Sequence, residues 1–371
     1  MFCTTLEPDH YEFIKKLGYI PVGLGEKNFI GDWFRDNSGP NISKREARTI
    51  VRDAYGLDLS ATVLTSERDQ NFLLKEKADP KYVLKISHAA ESFDVLEMQH
   101  AALAHIYLYD PEMQLPHPVN TLDGELIFRQ KAASNEKHYI RMVEYVPGES
   151  MKDLGKQTNG LINDLGSLLG RLDLALQGFE HPAARRSFPW DVAQTHFLLT
   201  SQDNIQSKED QLIIQHFLQE YEKNIVPISH ELNMAVIHND GNDHNVIVNK
   251  DNRAHGIIDF GDMVHTYIIC ESAVCLAYLV INNPDPIDLI AELIKAYQKV
   301  FPLTELEISV IIYFICLRLC ISVTMAAYRK QLFPDNKYIT VTEDQAWVFL
   351  RKMKNVDLQG WSDQVVNKTF H

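Results

Sequence analysis

Cysteine is scarce. The 371 residues hold five, Cys3, Cys270, Cys275, Cys316 and Cys320, an odd number with no C-x-x-C pair. That pattern argues against a disulfide framework or a zinc ribbon and makes a reducing cytoplasm the expected compartment. Positive charge is short as well: 36 Lys and Arg stand against 50 Asp and Glu, a formal net charge of −14. So acidic a chain lacks the counter-charged surface that nucleic acid or an anionic membrane requires, and neither is an expected partner. The opening residues, MFCTTLEPDHYEF, have neither the basic nor the apolar region of a signal peptide. An unbroken apolar run of membrane length is missing too. Residues 308–327 come nearest, but Arg318 interrupts them and Ser309, Ser322 and Thr324 dilute them, so a buried helix of a large lobe is expected. Cys316 and Cys320 lie four apart in that stretch with no His or Cys pair elsewhere at ligand spacing, and are expected to pack in the core.

What is present is ordinary for a soluble protein with a real core: 45% hydrophobic and 23% charged residues. Residues 1–42 mix charge and aromatics without period and read as an N-terminal extension ending in turn residues. Ser43 with Glu46 forms a capping box, and Ala47, Ile50, Val51 and Ala54 make one helical face that stops at Gly56. Strands are expected at 61–64, 71–75 and 82–87, with a turn at Ala78-Asp79-Pro80. A long helix should run from about 91 to 109, followed by strands at 126–130 and 139–145. Beyond Gly148 helical patterns dominate, at 161–178, 209–224, 269–281, 286–300, 305–330 and 343–355. The exception is 235–262, where short strands at 235–237, 246–248 and 256–258 surround a polar loop. The expected fold class is α+β, with a β-rich lobe over 43–147, a linker near 146–150 and a mostly helical lobe over 148–371.

The chemistry concentrates in that exception. AVIHNDGNDHNVIVN, residues 235–249, carries His238-x-Asp240-x-x-x-x-Asn245, and Asp259-Phe260-Gly261-Asp262 follows the next strand. Phosphoryl transfer from a nucleotide needs a carboxylate beside the acceptor hydroxyl and oxygen ligands for a magnesium ion. Asp240 suits the base, and Asn245 and Asp259 the metal. His238 reads as a structural residue under the loop. Upstream, Lys85 in the strand YVLKI is placed to pair with phosphates, with Glu97 on the next helix, rather than Glu91, to orient it. Between the first two strands the loop Thr65–Asn71 has no glycine, so Ser66 or Arg68 would have to assist phosphate binding, unless Arg68 only forms a salt bridge within the loop.

These residues resemble the aminoglycoside phosphotransferase and choline kinase superfamily, and more closely its hydroxylysine kinase-like and homoserine kinase type II-like branch. The matching segments are SERDQNF at 66–72, YVLKI at 82–86, HPAARRSFPWD at 181–191, VIHNDGNDHNVIV at 236–248 and IIDFGDMVHT at 257–266. The resemblance covers roughly 43–355. It implies a protein-kinase-like two-lobed fold, ATP or GTP as donor, Mg2+, and nucleotide contacts that include Glu144 and Val146 beside the linker. It also implies a small amino-bearing acceptor, an amino alcohol or a hydroxy amino acid. Asp262 and Glu271, with Trp190 and Asp191, could hold the ammonium by charge-assisted hydrogen bonds and an aromatic face. Three competing readings remain. A nucleotide-binding regulator without turnover would be expected to lack one of Lys85, Asp240, Asn245 and Asp259. A protein kinase would need an activation segment where 269–281 begins a helix. An aminoglycoside or sugar phosphotransferase differs only in its acceptor.

Overall fold

The computed structural model describes residues 39–66, 68–131, 137–155, 158–332 and 343–371. Cys3, the expected extension up to residue 38, and Glu67 of the phosphate loop lie outside the described residues. The described residues form two compact units, one of 39–155 with 244–261, the other of 158–243 with 262–371. The first is a β-sheet unit and the second is helical, the α+β class read from the sequence.

In the first unit, α1 (Lys44–Tyr55) starts at the expected capping box: Glu46 N–H donates to Ser43 Oγ at 3.2 Å and Ser43 N–H to Glu46 Oε2 at 2.8 Å. It ends at Gly56, whose φ of 70° closes the last turn in the left-handed region. Its buried face packs on an antiparallel sheet of β1 (Ser60–Leu64), β2 (Gln70–Glu76), β3 (Asp79–Ile86), β4 (Pro118–Val119), β5 (Phe128–Lys131) and β6 (Lys137–Glu144). The order is β1-β2-β3-β6-β4, with β5 also on β6. Phe72, Leu74, Leu84 and Ile86 are fully buried between sheet and α1, each burial worth about 1.5–3 kcal/mol. Ile42, read as part of the extension, belongs to this core and exchanges two backbone hydrogen bonds with the Gln70 amide.

The turn expected at Ala78-Asp79-Pro80 lies slightly earlier. Glu76 pairs with Asp79, so the reversal falls on Lys77-Ala78, with Lys77 at φ 57°. Pro80 sits opposite Lys75 beside a register shift, where its missing N–H costs the ladder little. Helix α2 (Phe93–Tyr109) follows β3. The unit is completed by a small antiparallel sheet, β10-β9-β7, of β7 (Glu149–Ser150), β9 (Val246–Val248) and β10 (Ala254–Ile257).

The second unit holds α3 (Asn159–Leu176), α4 (His196–Ser201), α5 (Lys208–Asn224), a ribbon of β8 (Met234–Ile237) with β11 (Val264–Tyr267), α6 (Ile269–Val280), α7 (Pro286–Gln298), α8 (Glu305–Ser309), α9 (Ile311–Leu332), α10 (Glu343–Met353) and α11 (Leu358–Phe370). The single helix expected over 305–330 is interrupted at Val310 into α8 and α9. Helix α9 is long and apolar enough to cross a membrane, but most of it is buried among its neighbours. Helix α3 approaches α7 closely because Gly166 and Gly170, one turn apart, carry no side chain: a Cβ at Gly166 would meet Leu293 O at 2.3 Å. Cys270, Cys275, Cys316 and Cys320 are buried free thiols.

Candidate active site

The two strands β9 and β10 explain the spacing of the proposed metal ligands. Val246 pairs with Ile257, and Ile258 N–H donates to Asn245 O at 2.9 Å. Asn245, just before β9, and Asp259, just after β10, therefore emerge at the same end of one hairpin. Asn245 is nearly buried, whereas the Asp259 side chain is 52% exposed. Asp259 adopts φ 67°, a left-handed conformation that costs a non-glycine residue energy and is typical of functional turns. Its Oδ1 holds a cation: Lys85 Nζ lies 3.0 Å away. Among the described residues no three His, Cys, Asp or Glu side chains converge as a self-sufficient metal site. Two protein oxygens suit Mg2+, which keeps water and phosphate ligands for the remaining positions.

Lys85 lies on β3 between the fully buried Leu84 and Ile86, directly opposite Arg141 on β6. Arg141 is also buried, and its Nη1 donates to Gln99 Oε1 at 2.6 Å. Burial lowers the Arg141 pKa, while Asp69, Asp259 and Glu91 oppose that shift. His100 beside them is driven down to about 3 by burial and by the Arg141 and Lys85 charges, and stays neutral. The sequence reading missed Arg141. On α2 the buried polar residue that meets Arg141 is Gln99. Glu97, two positions away and about 200° around the helix, lies on the exposed side. The partner the structure gives Lys85 is Asp259.

The rest of the expected nucleotide set lies in the same unit as Lys85. Arg68 pairs with Glu91 at 3.6 Å, and Ser66 is exposed. Glu144 is exposed at the end of β6, and its N–H donates to His117 O. Val146 is buried against Gly256, so its side chain belongs to the core.

In the helical unit β8 delivers the loop that begins at His238. His238 is fully buried and its Nδ1 accepts the Asp240 N–H at 3.2 Å, the structural role expected of it. Asn239 takes φ 64°. It is held there by Glu271 Oε2, which accepts its N–H at 3.0 Å, and by the Trp190 and Asp262 carbonyls, which accept from its amide at 3.4 and 3.3 Å. Asp240 follows, with Oδ1 accepting from Asn242 Nδ2 at 2.8 Å and from Arg318 Nη2 at 3.1 Å.

Three of the four residues expected to read an ammonium are engaged inside the protein. Glu271 is fully buried, and burial pushes its pKa up to about 7 against the opposing backbone N–H bonds and the Arg318 charge. Asp191 is fully buried: Oδ1 accepts from Thr266 Oγ1 at 2.7 Å and Ala193 N–H at 3.0 Å, and Oδ2 from Gln194 at 2.8 Å. The Trp190 ring faces the Arg318 guanidinium at 4.7 Å, so a cation of the protein itself already takes one of its faces. Asp262 is half-buried, and its charge acts on Arg318.

Residues 60–307 match the phosphotransferase enzyme family. The chain is similar to hydroxylysine kinase of Xenopus laevis, 27% identical over 347 residues that span 86% of this chain and 92% of that protein. It is equally similar to hydroxylysine kinase of Mus musculus, 27% identical over 344 residues, 85% of this chain and 90% of that one. Among solved structures, a microcompartment-associated aminopropanol kinase superposes with a TM-score of 0.66 at 16% identity, over 84% of this chain and 98% of that chain. An amicoumacin kinase in complex with AMP-PNP and Ca2+ superposes with a TM-score of 0.63 at 15% identity, over 81% and 91%. The structural likeness establishes the kinase-like fold.

Proposed function

The chain belongs to the phosphotransferase enzyme family, and from that premise we propose that it moves the γ-phosphoryl group of ATP or GTP to the hydroxyl of a small amino-bearing acceptor. That it is a phosphotransferase acting on a small hydroxyl-bearing molecule follows from the family and its relatives. The finer reading rests on one observation above all: Asp240 is followed in the same loop by Asn245, and the hairpin carries Asp259, with Lys85 at its carboxylate.

In this reading Asp240 accepts the acceptor's hydroxyl proton as its oxygen bonds to the γ-phosphorus and the bond to the β-phosphate oxygen breaks. Lys85 holds phosphate oxygens, exchanging its present partner Asp259 for the nucleotide. Asn245 and Asp259 would hold Mg2+, which supplies charge neutralisation on the phosphates. The acceptor class is hydroxylysine, homoserine or an amino alcohol. It is supported by relatives named for hydroxylysine and a fold neighbour named for aminopropanol, with the half-buried Asp262 carboxylate proposed to meet the ammonium. A reducing cytoplasm suits the four buried thiols.

The test is a panel of 5-hydroxylysine, homoserine, ethanolamine, choline, aminopropanol and kanamycin, each assayed with ATP and with GTP, beside deaminated analogues. Hydroxylysine or another small amino-bearing alcohol should be turned over with the highest kcat/KM. Equal efficiency with deaminated analogues, or turnover of the aminoglycoside alone, would refute the acceptor reading.

A further inference from the structure

Arg318 sits in the middle of α9 and is 1% exposed. A buried guanidinium needs acceptors for its donors, and an ion pair in such a place is often no more stabilising than a hydrophobic residue of similar size. Here the donors converge on the catalytic loop and its supports. Nη1 donates to Trp190 O at 2.7 Å, Nη2 to Asp240 Oδ1 at 3.1 Å and Nε to the Tyr278 hydroxyl at 3.3 Å. The guanidinium faces the Trp190 ring at 4.7 Å and lies 5.9 Å from the Tyr278 ring, and Ser322 meets the Tyr278 hydroxyl at 3.1 Å. Exposure is uneven across the pair: 1% for the Arg318 side chain and 21% for Asp240. The cation is therefore behind the carboxylate and the carboxylate is toward the open side. The charged and titratable groups around Arg318 are Asp240, Asp262, Tyr278, Glu271 and Cys270. Burial draws its pKa down, but Tyr278, Asp240 and Asp262 more than offset this, so it remains a cation.

We infer that Arg318 is a positioning residue for phosphoryl transfer, a fixed buried cation that keeps the Asp240 carboxylate ionised and locked in one rotation. The inference rests on Asp240 being the base. Two donors, Arg318 Nη2 and Asn242 Nδ2, fall on the same oxygen, Oδ1, which sets the plane of the carboxylate. A base that works beside an anionic nucleotide is pushed toward its protonated, inactive form by that nucleotide, and a neighbouring cation opposes the push. The aromatic and carbonyl partners hold the cation where a substrate does not displace it.

The experiment compares wild type, Arg318→Met, Arg318→Lys and Asp240→Asn, with 5-hydroxylysine as acceptor and ATP as donor, across pH 5 to 9. Nucleotide affinity is measured by calorimetry. Arg318→Met should lose about 10²-fold in kcat, with acceptor and nucleotide KM within about threefold. Its acidic limb in kcat/KM should move up by about one pH unit, because a carboxylate without its cation protonates at higher pH. Arg318→Lys should keep the limb within half a unit of wild type, since the charge remains. It should still lose at least about tenfold in kcat, since an ammonium does not reproduce the planar fork. A Met variant with wild-type kcat and pH profile overturns the inference, as does a loss confined to KM. If the Met variant does not fold, an Arg318→Lys enzyme with wild-type kcat overturns it. Activity surviving in Asp240→Asn would instead overturn the assignment of the base.

Discussion

Glu271→Gln separates a carboxylate that holds the catalytic loop from one that binds substrate. The Glu271 side chain is wholly buried and accepts the Asn239 N–H at 3.0 Å. Burial raises its pKa from 4.5 to about 7. Between those values the folded protein holds a proton that the unfolded chain has released. The contribution of Glu271 to stability is therefore fully present below pH 4.5, is lost as pH rises, and is flat above about 7. The shift corresponds to about 3 kcal/mol at 1.36 kcal/mol per pH unit. Glutamine does not titrate and keeps an oxygen for the Asn239 N–H. Asp173, raised by burial and by the Glu271 charge, responds to the same substitution, so the difference between the two proteins reports the buried pair of acids rather than Glu271 alone. Melting temperatures of the two proteins, measured from pH 4.5 to 8.5, should diverge in favour of the glutamine variant as pH rises. At roughly 2 °C per kcal/mol the divergence is about 6 °C. At pH 7 the variant should keep its acceptor KM within about threefold and most of its kcat, because the hydrogen bond that holds Asn239 survives. Melting temperatures that run parallel across this range would refute the burial argument. A large rise in acceptor KM would restore Glu271 to the substrate.

Two further substitutions address the chemistry. Asp240→Asn keeps the size of the side chain but cannot take the hydroxyl proton, so phosphate transfer should fall about 10²–10⁴-fold, with nucleotide affinity nearly unchanged by calorimetry; more than a tenth of the wild-type rate would remove Asp240 from its role. Asp259→Ala should abolish the magnesium-dependent part of nucleotide binding and Asn245→Ala should weaken it less, because only the first removes a charged oxygen; titrations with and without magnesium that match wild type would move the metal elsewhere.

What the sequence made legible was local. The capping box Ser43–Glu46 and Gly56 bounded α1 within a residue, and alternating apolar residues found β2, β3 and β6. The interval between Asn245 and Asp259 could be read as strand, turn, strand, and the structure gives it the pairing Val246–Ile257. What was not legible depends on direction or on long-range contact. Helix α2 has apolar residues on most of its circumference, so its period does not say whether Glu97 or Gln99 faces the sheet. Two-residue strands such as β4 and β7 carry no pattern, and α8 and α9 part at Val310 without a proline or glycine to mark the break. Glu271 and Arg318 did leave a trace. Each is a charge inside an apolar helix, ICESAVCLAYLV and IIYFICLRLC, where burial demands a partner. The sequence shows that a partner must exist but not that it lies 32 residues away for Glu271 and 78 for Arg318.

That partner changes the electrostatic argument about the acceptor. Counted along the chain, Asp191, Asp240, Asp262 and Glu271 look like a crowd of anions that only a cationic substrate could enter. In the fold, Asp191 is spent on Thr266, Ala193 and Gln194, and Glu271 is a buried acid whose charge is suppressed by burial. Arg318 supplies a positive charge against Asp240. Net repulsion of a neutral acceptor therefore no longer follows from the count, and the proposed recognition of an ammonium rests on fewer groups, the half-buried Asp262 among them. A single partly exposed carboxylate gives a modest preference for an amine, typically about 1 kcal/mol or less. The same helix unit also carries Arg185, whose guanidinium lies against His265 at 3.1 and 3.2 Å, and Arg186, which donates to Met263 O at 3.0 Å next to Asp262. The proposed amino-bearing acceptor would therefore meet cations as well as a carboxylate around the start of β11, because Arg185 and Arg186 reach His265 and Met263 beside Asp262.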